Sequence, residues 1–214
     1  MNIFYLHEDP IQNAKWHVDK HVVKMATEYA QLLSTAHRFL DGELYEDRTK
    51  NNHRIKRWKL PDERENVLYK ASHVNHPCNV WVRESKSNYR LMYQIYMACL
   101  AEYTYRYGKI HGASKPSISL LRAPDNIKDI GLTEVPQAMP EYCKVVGNPI
   151  QAYKNYYINE KKRFATWKNK EIPEWFMTQS HKDIMIGLAI VNPVYFMCMM
   201  IGSCLLYTSD AADE

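Results

Sequence analysis

The sequence predicts an all-α fold: a single compact domain of three long helices with short helices and loops between them. Three observations carry this. Apolar residues recur at three- and four-residue steps over long stretches. Helix-start signals stand at Asp9-Pro10, at Ser85 or Ser87 and at Asn148-Pro149. Sixteen tyrosines and five tryptophans stand against seven glycines, the balance of helices packed through aromatic side chains. The 214 residues suffice for one domain with its own core.

Asn2–Leu6 is a short apolar run, expected as a strand or an extended segment laid on the core. A long helix is then expected from Asp9, as N-cap, and Pro10, as first helical residue, to about Leu40. Val18, Val22, Met25, Tyr29, Leu32, Ala36 and Leu40 make its buried face. Beside that face run His17, His21, Lys24, Glu28, Gln31 and Thr35 at the same spacing. A solvated strip usually carries interchangeable Lys and Glu. This one carries two imidazoles, an amine, a carboxylate and an amide, groups that exchange protons or make directed hydrogen bonds and can line a cleft. Glu28 is the candidate general acid/base, Lys24 or Lys20 the candidate amine, and His17 and His21 candidates to position water or move protons. The plain alternative is a hydrogen-bonded structural face.

Asp41–Asn52 reads as polar and turn-like, starting at Asp41-Gly42. Residues 51–59 gather His53, Arg54, Lys56, Arg57 and Lys59 around Trp58, a phosphate-contacting loop or a solvated face. A short helix is expected from Pro61 to about Ala71. His73, Asn75 and His76 then make a donor-rich loop before Pro77; they contact phosphate or a base edge, or they cap helix ends. The second long helix runs to about Tyr107, with Gly108 as its stop. Tyr89, Tyr93, Tyr96, Leu100, Tyr103 and Tyr107 form its stripe. Arg106, Tyr107, Lys109 and His111 concentrate charge and aromatics at its end, as nucleic-acid contacts or as cations suited to the helix dipole. Residues 112–147 are loop-like, with a short helix near 117–122 and a bridge at 137–140. The third long helix, 149 to about 167, carries Tyr153, Tyr157 and Lys161 among its interleaved aromatics and cations, which stack bases and meet phosphates or pack inward. No internal repeat, low-complexity linker or second domain is visible.

The net charge of +4 is unevenly spread. One lysine stands against four acids after Phe176, a net of −3, which leaves +7 for residues 1–176. That balance fits an anionic partner. Five scattered cysteines without a CxxC read as free thiols in a reducing compartment. The N-terminus has no basic region followed by a long apolar run, so no signal peptide is expected and the location is read as cytoplasmic. The domain is assigned to 1–176, with the natural chain expected to end near Trp175-Phe176 and 177–214 taken as a doubtful extension. Ile184–Ile201 is chargeless and near membrane-spanning length, but Asn192-Pro193 breaks it; no membrane partner is expected unless that run is genuine. Residues 204–214, CLLYTSDAADE, resemble translated sequencing-adapter read-through.

GxGxxG, GxxxxGK, HExxH and GxSxG are all absent, so no nucleotide cofactor or serine-hydrolase chemistry is expected. His17 and His21, with His73 and His76, leave open a zinc or iron site, although Lys20 and Lys24 disfavour a cation. The assignment is therefore no metal and no cofactor, with a His-ligated hydrolase as the alternative.

MNIFYL, DKHVVKM, Gln31-Leu-Leu-Ser-Thr-Ala-His37, NHP, EYTYRYGK, PQAMP and NYYI-x-EK together resemble an uncharacterised family of small helical phage and bacterial proteins, over residues 1 to about 176. More distantly, the layout resembles the phage pyrimidine-dimer DNA glycosylases with abasic-site lyase activity, which are compact helical proteins. The resemblance lies in the early helix bearing His17, in the Asn75-His76 junction leading to a long aromatic helix that ends in Arg106-Tyr107-Gly108, and in Tyr153, Lys154, Tyr156 and Tyr157. It implies a DNA-directed role and a helical fold. That family attacks the sugar with the α-amine of a small residue exposed by methionine removal. Here Asn2 follows Met1, Lys24 falls near the family's catalytic acid, and Glu28 lies one turn on. The leading expectation is a phage-type, DNA-directed, glycosylase-like enzyme with DNA or a nucleotide as partner. Alternatives are a non-catalytic nucleic-acid-binding protein and the metal-dependent hydrolase.

Overall fold

Where one long first helix is expected, the chain makes two. The structure, a computed structural model, describes residues 1–177. Pro10–Trp16 form α1 and Asp19–Asp41 form α2, while His17 and Val18 between them are extended, with ψ of 136° and 153°. No glycine or proline makes this break. A buried guanidinium bridges it: Arg106 donates to Lys15 O at 3.0 Å, to Asp19 Oδ1 at 2.9 Å and to Glu102 Oε1 at 2.7 Å. At the start of α1, Asp9 accepts from the amides of Ile11 and Gln12, as its capping position predicts.

Residues 43–59 are not a loop. Glu43–Arg48 (β1) and Arg54–Lys59 (β2) pair antiparallel, in register from Glu43 opposite Lys59 to Arg48 opposite Arg54. Ile55 and Arg57 are more covered than Arg54 and Lys56, the two-residue alternation of a strand hidden within a basic run. Gly42 precedes the ribbon because a Cβ there would collide with Arg38 O. The fold is thus largely helical with one small sheet among the described residues, which corrects the all-α expectation.

The remaining helices are α3 (Arg64–Val67), α4 (Pro77–Glu84), α5 (Lys86–Tyr107), α6 (Ser117–Leu120) and α7 (Pro149–Tyr156). Gly108 ends α5 at φ 63°, the left-handed stop that glycine supplies without steric cost. The third long helix is not formed. After eight residues α7 widens into a π turn, Tyr157–Lys161, and then tightens to a 3₁₀ turn, Lys162–Phe164. The irregularity begins at Tyr157, whose ring is fully buried and whose hydroxyl lies 2.6 Å from His21 Nδ1.

Helices α2 and α5 pack together at the core, with α4 against both and α1 against α5. Val22, Met25, Tyr29, Leu32, Leu33, Tyr89, Met92, Ile95, Tyr96 and Cys99 are buried. The N-terminal segment forms no strand and turns at Phe4, whose φ is 47°, with Ile3–Leu6 buried. Tyr29 donates to Ile3 O, Leu6 N donates to Asn13 Oδ1 at 2.6 Å, and Tyr153 Oη donates to Asn2 Oδ1 at 2.6 Å. These bonds fix where Met1 lies.

One compact unit spans Met1–Glu171, and a second begins at Ile172, compared with the expected boundary at 176. The described residues of the second contain the 3₁₀ turn Glu174–Phe176. The apolar run 184–201 and the adapter-like residues 204–214 lie outside the described residues. Among those described, no helix is long and apolar enough to cross a membrane.

Candidate functional site

A cleft of about 960 Å³ opens between β2 and residues 69–76, with Gln31 of α2 also lining it. One side chain builds its frame. Arg38, nearly fully buried, donates to Trp58 O at 3.0 Å, Glu65 Oε2 at 2.6 Å, Glu65 O at 3.0 Å, Leu68 O at 2.9 Å and Tyr69 O at 2.6 Å. All five guanidinium N–H groups are used. They tie the base of the hairpin and the 65–69 wall to α2. The other wall hangs from Asn79, which donates to Ser72 O at 2.8 Å and His73 O at 2.9 Å, and from Thr35, which accepts from Ser72 N.

The cleft presents Lys56, Arg57, Trp58, Tyr69, His73, Asn75 and His76. Rings and cations therefore share one wall, a combination that accepts both a base and its phosphates. His73 sits at φ 48°, with Nδ1 2.6 Å from Ser72 Oγ. His76 caps α4, its Nδ1 accepting from Cys78 N at 3.2 Å. Burial lowers the His76 pKa, the Met1 ammonium and His73 add to that, and Glu28 opposes it. His76 is thus a neutral imidazole near neutral pH, and Glu28 is near enough to act on it.

Glu28 lies one turn from Gln31 on α2 and is mostly covered. Its Oε2 is 3.6 Å from the Met1 amino group and its Oε1 3.1 Å from Lys24 Nζ. The Met1 side chain is 3 % exposed, which anchors the chain end that carries one amine, whereas the Lys24 side chain is 70 % exposed and the second amine is free to move.

The N-terminal part of the polar strip, with Lys20 beside it, turns elsewhere. His17 is fully buried, with Nε2 3.1 Å from Phe4 O. His21 stacks on Phe4 at 4.1 Å and meets Tyr157. Lys20 Nζ sits 5.0 Å over the Phe164 ring. His17 and His21 are packing groups of the core, and the structure does not bring them to the cleft.

Burial is the first cause that pushes His17 down to about 4, His21 to about 2 and, further along α2, His37 to about 4. The unfolded chain binds these protons near pH 6.5, whereas the folded chain does not. Their contribution is therefore fully present above pH 6.5 and is lost as pH falls toward 4. Denaturant midpoints are expected to drop steadily over pH 6.5–4. A midpoint unchanged across that window would show that these imidazoles are accessible in the fold.

The second group of predicted contacts is also scattered. Arg106 is consumed by the bridge between α1 and α2. Tyr107 meets the Tyr103 ring at a tilt, 4.9 Å between centroids, with Lys168 5.2 Å above its own ring, and Lys109 is exposed just beyond Gly108. His111 caps the 112–114 turn and meets Val23 O at 3.1 Å. Tyr153 and Tyr157 are buried, and Lys161 donates to Tyr156 Oη at 3.0 Å. Of the predicted nucleic-acid contacts, His73, Asn75 and His76 line the cleft. Sequence reasoning missed Arg38, which sits one helical turn beyond the buried Ser34 as a lone cation in an otherwise buried stretch. It also did not pair the Met1 amine with Glu28. The imidazole quartet is divided between core and cleft, and among the described residues no group of three or more His, Cys, Asp or Glu is placed to hold a metal ion. Comparison with known proteins finds no matching family model, no matching curated protein and no matching solved structure.

Proposed function

We propose that this protein is a DNA-directed, glycosylase-like enzyme acting on a damaged or modified base. One observation carries the reading: the Glu28 carboxylate is held between two amines beside a cleft walled by cations and rings. A base inside a duplex reaches such a cleft by flipping out of the stack. Trp58 and Tyr69 offer faces for it, and Lys56, Arg57 and Lys70 offer charge to its phosphates. Glu28 acts as acid/base. Lys24, the exposed amine, loses a proton to Glu28 and attacks the sugar at C1′. The bond from C1′ to the base breaks, its electron pair leaves on the base, and Glu28 returns the proton there. Opening of the sugar ring then gives an imine between Lys24 and C1′, with the ring oxygen taking the second amine proton.

Borohydride tests this directly. Reduction during turnover on damaged duplex DNA is expected to trap a protein–DNA adduct that maps to Lys24. An adduct on the Met1 amine would move the nucleophile and keep Glu28. Base release without any adduct would make water the nucleophile. The non-catalytic reading draws on the same geometry, since both Glu28 oxygens already have cationic partners. Absence of base release in single-turnover assays over a panel of damaged duplexes would establish it in place of the enzyme.

A further inference from the structure

The β1–β2 hairpin carries charge that the cleft chemistry does not use. Its register sets opposite charges across from each other at Glu43–Lys59 and Glu46–Lys56, yet it closes with Arg48 directly opposite Arg54. Like charges in directly opposed positions destabilise a strand pair. The connecting residues add Lys50 and His53, and all four of these side chains are exposed. Arg48 is steadied by a neutral partner, donating to Asn52 Oδ1 at 2.8 Å, so its charge stays uncompensated. Asp47 is the acid beside them. Its Oδ1 accepts from the backbone N–H of Arg48, and its Oδ2 lies 3.9 Å from Arg57 Nε.

The cations do not stop at the tip. Arg54 and Lys56 continue along one face of β2 to Trp58 in the cleft wall. Four strand steps from Arg54 to Trp58 cover about 13 Å. Phosphates on one strand of a duplex recur every ~3.4 Å along the helix axis, so a ribbon laid along the axis spans about four of them. A free nucleotide in the cleft would leave the tip idle. The ribbon is exposed along most of β1 and at Arg54, Lys56 and Lys59 of β2, and it is tied down at its base, where Trp58 packs 5.4 Å from Phe39 and its carbonyl accepts from Arg38. A projecting two-stranded ribbon has the dimensions that enter a major groove.

We infer that the hairpin 43–59 is a phosphate-tracking arm and that the substrate is duplex DNA rather than a free nucleotide, the tip meeting the backbone about four phosphates from the nucleotide held in the cleft. The position of that nucleotide rests on the reading given under Proposed function; the arm itself is tested by binding alone.

The test uses the full chain carrying Arg48→Gln, Lys50→Gln and Arg54→Gln together, all at exposed positions. Binding to a duplex of about two helical turns is measured against salt. Three lost phosphate contacts are expected to lower the log–log slope by about 2.7. Binding of deoxynucleoside monophosphate is expected to be unchanged. An unaltered duplex slope would overturn the arm. An equal loss for the monophosphate would place these charges at the cleft and overturn the polymer assignment. A parent protein that prefers the single strand, or duplex RNA, would overturn duplex DNA as the partner. The expected slope change in a protein without turnover would support the arm while removing the glycosylase reading.

Discussion

Glu28→Gln is expected to lower single-turnover base release by about 10²-fold or more while leaving the fold in place. The amide keeps the shape of the carboxylate and an acceptor oxygen for Lys24 and the Met1 amine, but it takes up no proton at neutral pH. A tenfold rate change corresponds to about 1.4 kcal/mol, so the loss asks about 2.8 kcal/mol of one proton transfer. The stability cost should be far smaller, about 0.5 kcal/mol, because the Lys24 partner is largely exposed and such pairs contribute little. The two numbers separate the roles: a structural carboxylate would change the denaturant midpoint and not the rate. Lys24→Ala tests the amine independently and should abolish the trapped adduct at little cost to folding. An active protein whose rate is indifferent to Glu28→Gln removes the proposed chemistry.

Arg38→Met is expected to be the most destabilising single change, at ~3 kcal/mol or more. Methionine keeps much of the apolar stem but leaves four backbone carbonyls without their donor and strips Glu65 of its cationic partner, leaving it the Leu60 amide. Each stranded buried acceptor costs about 1–3 kcal/mol, offset where water reaches it. The hairpin base and the 65–69 wall come free together, so nucleic-acid binding should weaken in the same variant. For a unit of this size the thermal midpoint should fall by about 6–12 °C. Arg38→Lys should rescue little, because one ammonium cannot reach both walls. A loss under about 1 kcal/mol would mean that these carbonyls hydrate freely and that Arg38 does not frame the cleft.

Local chemistry was legible from the residues themselves. Asp9, Ser85 and Asn148 cap helices where their side chains predict, and Gly108 ends α5 where only a residue at ease with positive φ fits. The apolar face of α2 follows the spacing of Val22, Met25, Tyr29, Leu32 and Ala36, because the helical repeat is a property of the backbone. The donor-rich loop at His73, Asn75 and His76 was likewise marked by composition, and it lines the cleft.

Only the tertiary structure decided the rest. His17 and His21 share the helical spacing of Glu28, but Phe4 and Tyr157, distant in sequence, draw them into the core. Arg106 is equally polar in a sequence window whether it meets a phosphate or bridges Lys15, Asp19 and Glu102. The basic run 54–59 becomes a strand because β1 supplies a partner ladder, and strand preference depends on such partners more than on the residues alone. The pairing of Met1 with Glu28 depends on an N-terminal segment held by Tyr29, Asn13 and Tyr153. A helix face is fixed within about four residues of chain; which face becomes a site is fixed by what packs against it from far along the sequence.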